Sequence, residues 1–126
     1  MRFAQTPGAP IFTYDRRNAR IDPSEVESIL RAVQTAVATY LPAAAQVDVR
    51  QCEVVIEPSI FYMNSSNLGN LWAGGVTHDL GGGRFRLRVM ILYINGNGEV
   101  FDWRQFLVDE ALNFFVISVG RRDLAI

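Results

Sequence analysis

Asp109, Glu110 and Asn113 stand together in the stretch Val108-Asp109-Glu110-Ala111-Leu112-Asn113-Phe114, inside a segment from Trp103 to Val119 that is otherwise almost wholly apolar. If that segment is helical, Asp109 and Asn113 lie one turn apart on one face, Glu110 stands beside them, and Gln105 extends the stripe by a turn. Two donors at i and i+4 with a carboxylate at i+1 is an arrangement in which one helix can grip a metal ion and hold a water-activating base. The donors here are a carboxylate and an amide. With Asp123 they would form a hard oxygen set suited to calcium or magnesium, and they lack the imidazole that zinc catalysis uses. The narrow stripe also has a plainer reading, a polar cluster satisfied by hydrogen bonds within the fold, and that reading carries more weight.

Other reactive residue types add little. His78 is the lone histidine and falls beside Gly81-Gly82-Gly83; one imidazole makes no zinc site without other good ligands. Ser65, Ser66 and Ser118 have no matching histidine and acid arrangement, which argues against a serine hydrolase. The three glycines join two strands rather than a strand and a helix, so they are no phosphate loop. Cys52, the single cysteine, excludes an intrachain disulfide and reads as a buried structural thiol.

The elements that must position the stripe follow from periodicity. Asp22, Pro23 and Glu25 mark a helix start with a capping box, and Val26, Ile29, Leu30, Val33, Val37, Tyr40 and Leu41 give its apolar face, ended by Pro42. A strand is expected over 47–57 and a second around Leu71–Thr77, after the polar loop Asn64 to Asn70. A third is expected over 84–94, with Phe85, Leu87, Val89, Ile91 and Tyr93 on one face. The opposite face begins with Arg84, Arg86 and Arg88 and turns apolar at Met90, Leu92 and Ile94, which predicts cover on both sides of its second half. Asn95-Gly96-Asn97-Gly98 makes a turn; Asp102 then caps the last helix, with Gln105 at its third position and Gly120 at its end.

This order defines one α+β domain, residues 22–126: a small mixed sheet of three to four strands, an N-terminal amphipathic helix and a buried C-terminal helix. Residues 1–21 read as an extended arm, with a short strand at Ile11–Tyr14 allowed for. The 126 residues, 49% hydrophobic and 20% charged, suit a single compact domain, and a net charge of −1 provides no global field for nucleic acid or an anionic membrane. All twelve basic residues are arginine, which we attribute first to base-composition bias. The N-terminus lacks a signal-peptide core, and the helix over 103–119 is too short and too interrupted to span a bilayer comfortably. A soluble, non-secreted chain is expected, cytoplasmic or virion-associated.

The order of elements, with a short helix after a glycine-bounded hairpin, resembles the minimal zincin-like metallopeptidase domain over roughly residues 22–123. In that family the helix carries His-Glu-x-x-His and lies beneath an edge strand that borders the substrate cleft. Ala73-Gly74-Gly75-Val76-Thr77 resembles such a strand, and Phe106 to Asn113 resembles the helix. The resemblance puts Asp109 and Asn113 at the ligand positions and Glu110 at the general-base position. Both histidines are absent. In the extended motif of some zincins the following Gly and third ligand would fall at Val116 and Val119; Gly120-Arg121-Arg122-Asp123 stands one turn out of register, and a salt bridge suffices to explain Asp123.

The resemblance therefore implies a degenerate site (Asp109, Glu110, Asn113), no metal and no cofactor. It points to a non-catalytic domain that acts as a structural or protein-interaction component of a larger assembly. Virus or phage particles enter by analogy, through the extended arm. Partners would be other protein subunits or a second copy, met through Arg16, Arg17, Arg20, Trp72, Arg84, Arg86 and Arg88. Two alternatives stay open. One is an atypical metal-dependent hydrolase using Glu110. The other is a nucleic-acid-binding module on the Arg84/Arg86/Arg88 face, weakened because the aromatics of that strand point the other way; charge blunting of an edge strand is the preferred role for those arginines.

Overall fold

A computed structural model describes residues 11–14, 21–57, 61–65, 69–94 and 97–126, with backbone placement alone for 11–14, 61–65, 69–73 and 93–94. Arg16, Arg17 and Arg20 lie outside the described residues, as does the side chain of Trp72.

Two helices pack together against one mixed sheet. The sheet runs β1 (Ile11–Tyr14), β2 (Cys52–Glu57), β6 (Arg84–Met90) and β5 (Gly75–Gly81) in spatial order. β1 and β6 both run parallel to β2, and β5 closes the far edge antiparallel to β6. Two small hairpins complete the fold, β3 (Phe61–Ser65) with β4 (Gly69–Ala73), and β7 (Leu92–Ile94) with β8 (Val100–Asp102). The α+β class with a small mixed sheet is therefore correct, and β1 brings part of the 1–21 segment into the sheet.

α1 (Pro23–Ala38) starts as its sequence requires: Asp22 accepts from the Ser24 N–H at 2.9 Å and Pro23 fills the first position. Glu25 does not complete a capping box; it pairs with Arg104 at 2.5 Å, fastening the start of one helix to the start of the other. Pro42 does not end α1 either. The helix stops at Ala38, and Pro42 opens a 3₁₀ turn over Pro42–Gln46. Gln34 holds that turn by donating to the carbonyls of Ala44 and Val47 at 2.9 and 2.8 Å.

α2 (Trp103–Ser118) carries a full capping box: Asp102 accepts from Arg104 N–H at 3.0 Å, and Gln105 Oε1 accepts from Asp102 N–H at 2.7 Å. It is the most buried helix. Leu107, Ala111, Phe114, Phe115 and Val116 are fully buried with Val26, Leu30 and Val37 of α1 and Val54, Leu87 and Val89 of the sheet. Phe114 meets Phe85 edge-on, ring centres 5.1 Å apart. Leu112 and Val119 pack at the margin of this core.

Three strand expectations need correction. The 47–57 strand begins only at Cys52, because Asp48 caps a 3₁₀ turn over Val49–Gln51 by accepting from Arg50 N–H. The Leu71–Thr77 strand is two strands, β4 and β5, broken at Gly74. The 84–94 strand ends at Met90; β7 then leaves the sheet to pair with β8, and Leu92 is exposed rather than covered. Chain direction changes there even though Ile91 N–H still reaches the Glu57 carbonyl at 2.7 Å.

Candidate functional site

Glu110 lies beneath the outer strand β5. Thr77 faces inward from that strand and its hydroxyl lies 2.8 Å from Glu110 Oε1 and 3.2 Å from the Glu110 carbonyl. The close approach depends on two residues without side chains. A Cβ on Gly75 would come within 2.8 Å of Glu110 Oε2, and one on Gly74 would collide with the Phe106 ring. Neither glycine has a positive φ, so their smallness, not their backbone freedom, admits α2.

Asn113 is the only buried polar residue among the described residues, 6% exposed. Its oxygen accepts the Ile126 N–H at 2.8 Å; its nitrogen donates to the Ile126 carbonyl at 3.2 Å and to Glu110 Oε1 at 3.4 Å. An amide offers two N–H donors and an oxygen with two lone pairs; both donors and one of the lone pairs are engaged here. Asp109, one turn back, is exposed. The stripe therefore divides: Glu110 and Asn113 turn inward into a Thr77–Glu110–Asn113 chain, while Asp109 faces solvent.

Burial pushes the Glu110 carboxyl above its ordinary value of 4.5, and the Asp109 charge adds to the rise; the bonds from Thr77 and Asn113 act in the opposite direction without cancelling it. Zinc, which the resemblance would place here, does not fit these residues. The Asn113 oxygen is committed to the Ile126 N–H, no imidazole is near, and Asp123 is paired with Arg121 at 2.9 Å. Among the described residues no three His, Cys, Asp or Glu side chains gather where they could hold a metal ion.

The arginine face is a separate place. Arg84, Arg86 and Arg88 project from β6 on the side away from the helices, as expected, but β6 is an inner strand, so they do not blunt an edge. Instead Arg86 and Arg88 meet the acids of β2. Arg88 forms a two-pronged bond to Glu57 at 2.8 and 3.1 Å, and Arg86 reaches Glu53 at 3.5 Å. His78 on β5 joins this face, where partial burial and then the charges of Arg88 and Arg86 lower its pKa. Phe85 and Leu87 alternate to the helix side and are buried, so β6 offers the bases of a nucleic acid no stacking aromatic beside its charges.

Sequence reasoning missed Thr77 and Ile126, the two residues that complete the cluster. Nothing in the local spacing of either one signals its role; each meets α2 only through the fold. No family model, no curated protein and no solved structure matches the chain. Among the described residues no helix is long and apolar enough to cross a membrane.

Proposed function

We propose that this chain is a non-catalytic zincin-like domain that serves as a structural or protein-interaction component of a larger assembly. The observation that carries the reading is the engagement of Asn113. At the position where the resemblance calls for the second metal ligand, the side chain turns both N–H donors and its oxygen to Ile126 and Glu110, three of the four hydrogen bonds an amide can make. The outer strand β5 lying over Glu110 supports the zincin-like part, since the resemblance calls for an edge strand there. A fold does not dictate chemistry, and a helix that has lost its ligands can keep its structural duty.

The raised pKa of Glu110 favours one competing reading, a hydrolase that uses this carboxyl as acid or base with an atypical metal. Elemental analysis of the purified protein separates the two. The non-catalytic reading expects far less than one zinc or manganese per chain after dialysis, and no peptide hydrolysis. Tightly held stoichiometric metal, with hydrolysis abolished by Glu110→Gln, would overturn it.

A further inference from the structure

Residues Arg121–Ile126 double back along α2 instead of running away from it. The reversal is built at Gly120, whose φ of +80° is left-handed. Arg121 N–H reaches the Val116 carbonyl at 2.8 Å and Gly120 N–H reaches Ile117 at 3.0 Å, the paired bonds that close a helix at a glycine. The returning chain makes a 3₁₀ turn over Arg122–Leu124. Arg122 reaches across to Asp79 of β5 at 3.1 Å. At the end of the segment Asn113 takes the N–H and the carbonyl of one residue, Ile126, at once. An amide paired in this way stands in for a neighbouring strand and grips the main chain at two points.

This segment contributes little apolar surface to the core. Ala125 packs against it at the margin, but Leu124 is 37% and Ile126 75% exposed. Leu107, Phe114 and Phe115 beneath are fully buried. A stretch held by hydrogen bonds and an exposed ion pair, with little buried apolar area, opens at lower free energy than the domain unfolds.

We propose that Arg121–Ile126 is a strap, latched on Asn113, that closes over the Glu110–Asn113 part of α2 and opens while the domain stays folded. Closed, it fills both sides of the Asn113 amide and sets the Ile126 carbonyl one amide away from the Glu110 carboxylate. Open, it leaves an amide and a carboxylate side by side with hydrogen-bonding capacity to fill. The strap is held by these hydrogen bonds and the Arg122–Asp79 pair, whether or not α2 once carried a metal site.

Ile126→Pro tests it in the full chain. Proline removes the N–H that Asn113 accepts, at a residue whose side chain is exposed, and Ala125 already has the extended backbone (φ −69°, ψ 146°) that precedes proline comfortably. Amide exchange by NMR should show Leu124 and Ala125 protected in the parent, but less than Leu107 and Phe115. In Ile126→Pro the Leu124 and Ala125 amides should exchange roughly three- to tenfold faster, the change that losing one hydrogen bond brings. Carbodiimide labelling of Glu110 should rise, with Leu107 and Phe115 unchanged. Asn113→Ala should reproduce this pattern from the other side of the latch. Exchange of Leu124 and Ala125 at the same rate as Leu107 in the parent would show that the segment opens only with the whole fold. Unchanged exchange and unchanged Glu110 labelling in Ile126→Pro would show that there is no latch. Either result overturns the proposal.

Discussion

Gly74→Ala tests whether smallness at the start of β5 is what lets α2 approach. The added methyl would lie within 2.6 Å of Phe106 Cδ1 and nearer still to Cε1 and Cζ, whereas carbon atoms settle about 3.5–4.0 Å apart. The ring must therefore move by about 1 Å or more. It is confined by its place on α2, by the core margin and by Phe101, whose ring centre lies 6.4 Å away. Overpacking of this kind costs about 1–3 kcal/mol. Reduced freedom of the unfolded chain returns roughly 0.4–1 kcal/mol, because Gly74 has no positive φ for alanine to strain. The net expectation is a loss of about 1–2 kcal/mol, read by urea denaturation, and a fall in Tm of several degrees. The decisive arm is the double-mutant cycle with Phe106→Ala, in which Gly74→Ala should become neutral or slightly stabilising. An equal loss from Gly74→Ala with and without the Phe106 ring would refute the steric account of β5 against α2.

Leu107→Ala should cost about 2–5 kcal/mol in chemical denaturation, since Leu107 is fully buried at the helix–helix–sheet contact; a loss within error would remove α2 from the core. Glu110→Gln should alter the pH dependence of stability in one direction. The folded pKa of Glu110 is raised above 4.5, so its contribution is fully present below 4.5 and is lost as pH rises through the folded value. Stability of the Gln variant relative to the parent should therefore climb from about pH 4.5 upward, and a flat difference across that range would contradict the burial described for Glu110. Cys52 is buried and its thiol is pushed far above the ordinary value, so a thiol reagent at neutral pH should label it at the rate of unfolding; immediate labelling of native protein would contradict its place in β2.

The parts of this fold that could be read in the sequence are those whose determinants are local. Asp22-Pro23 and Asp102 with Gln105 begin their helices where the spacing of caps predicts, because a cap bonds to backbone two or three residues away. The errors arise where a distant partner decides. Glu25 has the local geometry for a capping box, yet Arg104 lies within 2.5 Å and a guanidinium is a stronger partner for a carboxylate than a single N–H. Residues 84–94 keep strand periodicity to the end, but β8 draws off the last three, and alternation along one strand carries no information about which neighbour pairs with it. The arginines of β6 illustrate the same limit. Their spacing places them correctly on one face, whereas their role depends on β2, about thirty residues earlier, supplying Glu53 and Glu57 beside them. At the candidate site the spacing of Asp109, Glu110 and Asn113 established that they are near neighbours, but could not separate a ligand set from a hydrogen-bonded cluster. The partners that bear on that choice come from elsewhere in the chain, Thr77 from the sheet to the half-buried Glu110 carboxylate and Ile126 from the returning chain to the buried Asn113 amide.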